Sequence, residues 1–431
     1  MAESKLKSFN YAVGMFGTSI PINMLKTYAA FFYVDKLGLT TAQLALILTI
    51  YAFIDALDNP VYGFLSDRTR TRWGRRRPWL MIGTPLMVLG LIAFYSPPSL
   101  AGTPLLAYAM LFYILTGTLD SVINAGYGAL FPELFKTDKE RAATNALRQA
   151  FQLVAMIISI ALTPVVTDLL GFSTTAIVYG ILGGGVILYM AVTAKEVPVT
   201  EEEEKPRLWH SLKSLFINKK FWIAGFANAF YSAAMSLVLA SLPFFVKYTL
   251  QIPNSQSTIL FASVLIIAIG CVAVWAWFVR KYTLMPVWRA ALVALAVAFV
   301  PLFFASSLVT AIVGSALVGF GFAGVITTMD LIGAKIMDED TQKYHVRREG
   351  IISNAMGFMN RLNSLFTAFA FLLVSRLFGF QSGANPGTQP GNAARFLLTV
   401  FPFVLMVISF AFSFFIDFKA PAQPKVALTE E

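Results

Sequence analysis

Two carboxylates, Asp55 and Asp58, stand three residues apart in an otherwise apolar run, Leu44–Leu65. On a helix that spacing puts them on one face, with β-carbons about 5–6 Å apart. Two carboxylates this close in a low dielectric do not both ionise easily, so the pair retains a proton or captures a cation. Pro60 follows. It has no N–H, so the carbonyl of Ala56 loses its helical partner. Asp55, Asp58, Asn59 and that carbonyl offer the oxygens a Na+ or H+ site needs. The plainer alternative is an ion pair with Lys26 or Arg361 that ties helices together. A second group, Asp120, Ser121 and Asn124, occupies neighbouring turns of the run Leu105–Leu130. Ser121 can add a neutral oxygen to the same cation, while Asp120 and Asn124 can hydrogen-bond a polar solute. Close packing through Gly126 and Gly128 is the competing explanation there. Arg148 opens the run Asn145–Leu169 beside Gln149 and Gln152, and Arg361 lies within Ile351–Leu377 among Asn354, Asn360 and Asn363. Both arginines suit a polar or anionic solute or a gate, and Lys26, inside Asn10–Val34, is a further basic candidate.

These groups matter because of where they are. Hydrophobic residues make up 57% of the 431 and charged residues only 13%, against roughly 45–50% and about 25% in soluble domains. Mean hydropathy is +0.69. A soluble fold cannot hide so much apolar surface, which excludes a cytosolic enzyme, a secreted disulfide scaffold and a disordered chain. One cysteine, Cys271, and two histidines, His210 and His345, exclude an intramolecular disulfide and leave no basis for a Cys- or His-built metal site. No cofactor is expected. The net charge of +10 reads as topology-setting loop charge rather than nucleic-acid binding. Trp275 and Trp277 can stack on a sugar, but packing explains them as well.

Runs of about 18 or more apolar residues can cross a bilayer as helices. Twelve are expected: 10–34, 44–65, 78–95, 105–130, 145–169, 174–192, 221–247, 257–279, 287–306, 309–331, 351–377 and 394–418. The first residues, MAESKLKSFN, hold no apolar core ahead of Asn10, so a cleaved signal peptide is not expected. Lys and Arg cluster at the termini and after the even-numbered runs, as in Arg68–Arg77 and Lys335–Arg348, whereas 96–104, 251–256 and 381–391 carry no charge. Both termini are therefore expected in the cytoplasm, with the chain multi-pass in a cell (inner) membrane. Lys247 and Arg376, near run ends, read as snorkelling side chains. The linker 195–220 holds Glu201–Glu204 and Pro206. It separates an N-terminal bundle, 1–194, from a C-terminal bundle with a short tail, 221–431. An all-α membrane protein of twelve helices in two six-helix bundles is the expected fold, with a pathway between the halves.

The stretch Asp55-Ala-Leu-Asp-Asn-Pro-Val-Tyr-Gly63, followed by Ser66-Asp67-Arg68 and Gly74-Arg75-Arg76-Arg77-Pro78-Trp79, resembles the loop motif between spans 2 and 3 of major facilitator superfamily carriers. The Asp-Ala-x-x-x-Pro start resembles the glycoside–pentoside–hexuronide:cation symporters within it, and 132–141 and 344–350 agree. The resemblance implies a cation acid at Asp55, a family hydroxyl at Ser121 and a basic residue at Arg361. The second acid of span 2 falls on Asn59, with Asp58 at the adjoining Asn position, so the pair is swapped. Sugar-binding positions of the family fall on Ser19, Asn124 and Gly128, which weakens the sugar clamp. An inner ionic lock falls on Arg141 and Asp338, next to Asp67 and Arg68, with Lys335 where an acid is usual.

The expected activity is secondary transport: Na+- or H+-coupled symport of a small polar solute, foremost a sugar or glycoside, by alternating access of a monomer in the lipid bilayer. A cation-coupled carrier of a lysolipid or other amphiphile is the alternative within carriers. A non-transporting receptor or a channel is the alternative outside them.

Overall fold

The computed structural model describes residues 2–69, 71–74, 76–135, 138–194, 219–344, 359–360, 363–381 and 383–416. The described residues are almost wholly helical, one of the two ways, with the closed β-barrel, in which a chain in lipid satisfies its own backbone. In chain order the helices are α1 (Ala2–Ala30), α2 (Thr41–Arg68), α3 (Arg77–Phe94), α4 (Gly102–Leu134), α5 (Asp138–Met156) and α6 (Thr163–Thr193). Then come α7 (Lys219–Phe244), α8 (Ser257–Tyr282), α9 (Leu284–Phe303), α10 (Leu308–Tyr344), α11 (Asn363–Phe378), α12 (Pro390–Arg395) and α13 (Phe401–Ser413). Proline marks the first turns of α3, α6, α12 and α13, where its missing N–H costs nothing.

Among the described residues, eight helical stretches are long and apolar enough to cross a membrane. They correspond to the expected runs beginning at 78, 105, 174, 221, 257, 287, 309 and 394. Thr41–Asp55, Ala150–Ala161 and Asn363–Phe378 are shorter apolar helices, and the apolar character of α1 is diluted by Ser8, Asn10, Thr18, Ser19, Asn23 and Lys26. The expected break between 169 and 174 is a kink, not a loop: Gly171 at φ 78° interrupts α6, a conformation open to glycine.

Several helices end or continue in π-turns. Phe31–Lys36 extends α1, Ile157–Ala161 extends α5, Phe245–Leu250 extends α7, and Phe396–Val400 joins α12 to α13. Such turns are rare and often mark functional positions. α1 packs on α5 and α6, and α3 on α4 and α6; on the C-terminal side α9 and α8 pack on α10, and α13 on α7. Between the two sides the contacts run α2 to α11, α1 to α7, and the π-turn after α5 to α8. A shift of six helices turns the first of these into the third. The α1–α6 crossing is close: a β-carbon on Gly17 would stand 2.7 Å from the Gly183 carbonyl oxygen, the small-residue contact that lets membrane helices approach.

Candidate functional site

Asp55 is buried where α2 faces α4. The Ser121 hydroxyl donates to its Oδ1 at 3.1 Å. One residue earlier on α4, buried Asp120 accepts from Asn124 Nδ2 at 2.7 Å, and the same amide reaches the Asp120 carbonyl at 3.1 Å. Two carboxylates, a hydroxyl and an amide thus occupy one turn of α4 and its contact with α2. Ser121 thus meets Asp55 as a shared oxygen site requires, while Asn124, read from sequence as a solute ligand, bonds Asp120.

Arg148, on α5, goes elsewhere. Its guanidinium lies 5.0 Å from the Tyr127 ring centroid, 5.1 Å from Phe131 and 5.8 Å from Tyr11, with Nη2 4.0 Å from Met15 Sδ. Tyr11 and Tyr127 stack at 4.6 Å and 9°, and each hydroxyl donates to the other's carbonyl, at 2.6 and 3.2 Å. Arg148 Nε is buried with no hydrogen-bond partner among the described residues. Ring faces attract a guanidinium but leave its Nε–H unspent. Gln152, one turn on, is half-buried.

Lys26 is exposed on α1 and does not pair with Asp55. Ser19 is buried, while Gly128 faces open space: a β-carbon there would meet nothing within 4 Å. The side chains of Asp58, Asn59, Asp67, Arg68, Arg141 and Asp338, and the whole of Arg361, lie outside the described residues. At the same end of the molecule as that expected lock, Lys220 of α7 pairs with Glu339 of α10 at 2.8 Å.

Lys247 is not a snorkelling side chain. Its ammonium bridges both oxygens of Asp35, at 2.6 and 2.8 Å, and the Tyr248 hydroxyl donates to the same carboxylate. The Asp35 side chain is fully buried, that of Lys247 40% exposed. Asp35 comes from the π-turn after α1, and Lys247 and Tyr248 from the π-turn after α7. Around this contact the Gly383 N–H donates to the Val34 carbonyl at 2.8 Å, and the Thr41 N–H to the Gln381 carbonyl at 2.7 Å. Thr41 Oγ1 reaches the Phe380 carbonyl at 3.2 Å, and Asp168 Oδ2 accepts from the Ser255 N–H at 2.9 Å. A β-carbon at Gly383 would fall 2.0 Å from the Asp35 carbonyl oxygen. At this end, then, the two sides of the molecule are joined by side-chain and backbone bonds.

On α7, Asn228 donates to Asn360 Oδ1 at 2.7 Å, and Ser232 accepts from Asn363 at 3.2 Å. Asn228 and Ser232 were not singled out by sequence; their i, i+4 spacing in an apolar helix was the available signal. Trp275 is core, its indole N–H donating to the Phe320 carbonyl at 2.9 Å, whereas Trp277 is 52% exposed.

An all-helical chain with buried carboxylates at helix contacts and rows of apolar spans is the architecture of a multi-pass membrane protein of the carrier type. The chain belongs to the MFS/sugar transport protein family, whose profile matches residues 10–420. It is 27% identical over 284 residues to the isoprimeverose transporter of Lactiplantibacillus pentosus, covering 63% of this chain and 59% of that protein. It is 24% identical over 412 residues to the putative sulfoquinovose importer of Escherichia coli, covering 93% and 87%. The chain spans about half the length of some curated relatives it matches, 49% for the uncharacterized symporter YnaJ of Bacillus subtilis. In fold it is similar to the nucleoside transporter NupG, with TM-score 0.70, 13% identity and 96% and 100% of the two chains covered. It is also similar to a bacterial homolog of the human lysosomal transporter Spinster, with TM-score 0.72, 13% identity and 96% of each chain covered.

Proposed function

We propose that this chain is a secondary carrier that couples the movement of Na+ or H+ to that of a sugar or glycoside by alternating access. The observation that carries the reading is the buried Asp55 carboxylate held by Ser121 beside the Asp120–Asn124 pair. An intramembrane carboxylate is costly and marks a functional position by default. A cation arriving at Asp55 gains a charged and a neutral oxygen ligand, while Asp58 and Asn59, next along α2, are the nearest further donors by sequence. Asp120, Asn124, Arg148 and Gln152 are then the candidate solute-binding residues of the N-terminal half, and Arg361, outside the described residues, is by sequence the candidate from the C-terminal half.

Alternating access rests on the joined end. The charge sorting assigns that end to the cell exterior, so this structure is the outward-closed form. The six-helix shift relating the contact of α2 with α11 to that of the π-turn after α5 with α8 supports two bundles, 1–194 and 221–431, connected by 195–220. A ligand moves such an equilibrium only through its different affinities for the two forms.

One observation favours a particular kind of sugar. Among the described residues Arg148 lacks an acid partner and keeps a buried N–H unspent, which suits a carboxylate or sulfonate on the solute. A relative over most of its length is named as a sulfoquinovose importer. A thermal-shift screen of the purified chain against neutral sugars, glycosides, uronates and sugar sulfonates, with and without Na+, tests the reading, because a ligand of the native state raises Tm by mass action. Stabilisation by at least one sugar-class compound supports it. No response to any of them, alone or with Na+, counts against it.

A further inference from the structure

On the outer flank, away from the polar interior, α9 and α13 pack together and leave a groove of about 550 Å3 lined by Arg289, Val293, Val297, Phe410 and Phe414 among others. Val293, Val297 and Phe414 are exposed, as are Val300, Val404 and Val407 on the same helices. In a membrane protein, surface of this kind meets hydrocarbon, so an acyl chain is what fills the groove. Arg289 distinguishes it from an ordinary lipid-facing furrow. Its Nη2 donates to the carbonyls of Ser413 and Ile416, both at 3.2 Å, at the end of α13, where carbonyls lack helical partners. Its guanidinium carbon lies 4.9 Å from the Phe414 ring centroid. These contacts fix the group at the groove's mouth yet use only one of its nitrogens. Nε is unpaired, and Arg289 takes part in no ion pair among the described residues.

Depth and charge agree with the geometry. Arg289 stands in the second turn of α9, just after Arg280 and Lys281 in the last turn of α8. By the charge sorting this is the cytoplasmic end, where a snorkelling arginine reaches the phosphate level and basic groups between spans attract anionic headgroups. We infer that the groove between α9 and α13 is a binding site for one anionic phospholipid of the cytoplasmic leaflet, with an acyl chain in the groove and the phosphate on Arg289. The inference rests on the orientation just given and not on the nature of the transported solute.

The test is the Tm of the purified full chain in a neutral detergent, with added dioleoyl phosphatidylglycerol, dioleoyl phosphatidylcholine or glycerol 3-phosphate. The expected result is a Tm about 3 °C or more higher with phosphatidylglycerol than with phosphatidylcholine, and no shift with glycerol 3-phosphate. Arg289→Gln, which removes the charge, and Val293→Trp, which fills the groove and leaves Arg289 in place, should each abolish the excess. Should Arg289→Gln not fold, Val293→Trp decides alone. Equal shifts with the two lipids on the unmodified chain, an excess retained by either folded variant, or a matching shift with glycerol 3-phosphate would overturn the inference.

Discussion

Asp55 and Arg148 carry opposite charges within the same half of the molecule, yet each is held by its own neighbours rather than by the other: Asp55 by Ser121, Arg148 by rings and a thioether. Replacing Ser121 with Ala removes its hydrogen bond to the Asp55 carboxyl, worth about 0.5–3 kcal/mol, and the neutral oxygen of the proposed cation site. The expected outcome is at least a tenfold loss of cation affinity with folding preserved, read by titrating Na+ or H+ against substrate-dependent thermal stabilisation. Arg148→Lys keeps the charge but loses the planar fork that recognises an anion bidentately. It should weaken solute binding tenfold or more while leaving the affinity for the coupling ion within a few-fold; isothermal titration with the solute found by screening measures both. Gly128 offers the opposite case. Because a β-carbon there meets nothing within 4 Å, Gly128→Ala should leave Tm within about 1 °C of the unmodified chain, consistent with the small effects typical of uncrowded sites.

At the scale of the elements, the π-turns at the ends of α1 and α7 deliver opposite charges to one contact. Removing Lys247 leaves buried Asp35 with only the Tyr248 hydroxyl from that pair of residues. An uncompensated buried charge costs several kcal/mol, less here because Lys247 is partly exposed. Even about 1.4 kcal/mol alters a state ratio tenfold. Lys247→Ala should therefore raise the outward-open population about tenfold, seen as faster labelling of a cysteine placed on the exterior side of the cavity in a Cys271→Ser background. Unchanged labelling would remove the contact from the gating account. Gly383→Val should act in the same direction, since its β-carbon would collide with the Asp35 carbonyl.

This contact also marks where sequence reading stops. Asp55, Ser121, Asp120 and Asn124 were legible because a charge or amide inside an apolar run stands out, and the helical period says which residues share a turn. The eight long apolar helices were legible for the same reason. Asp35 and Lys247 were not: each falls at the end of a run, where a lone charge reads as a snorkelling side chain, and they are 212 residues apart in sequence. Arg148 was legible as a functional candidate, but its aromatic box was not, because Tyr11, Tyr127 and Phe131 look like ordinary packing in a chain with 39 phenylalanines and 15 tyrosines. The break at Gly171 was legible as the gap between the runs ending at 169 and beginning at 174; that it is a kink at one glycine rather than a loop was not.

At the scale of the whole molecule, the two sides are joined at one end, the one the proposed topology turns outward, through Asp35–Lys247, Val34–Gly383, Thr41–Gln381 and Asp168–Ser255. The proposed carrier must break these contacts to face outward, and the proposed coupling requires that an ion bound at Asp55 help decide when it does. The most direct measurement compares the unmodified chain with Asp55→Asn in proteoliposomes, using radiolabelled solute under an imposed Na+ or H+ gradient and, separately, in counterflow without a gradient. The account predicts gradient-driven accumulation by the unmodified chain. In Asp55→Asn it predicts loss of accumulation with counterflow retained, since the amide keeps an acceptor for Ser121 but holds no charge. Accumulation against a gradient that persists in Asp55→Asn would contradict the account.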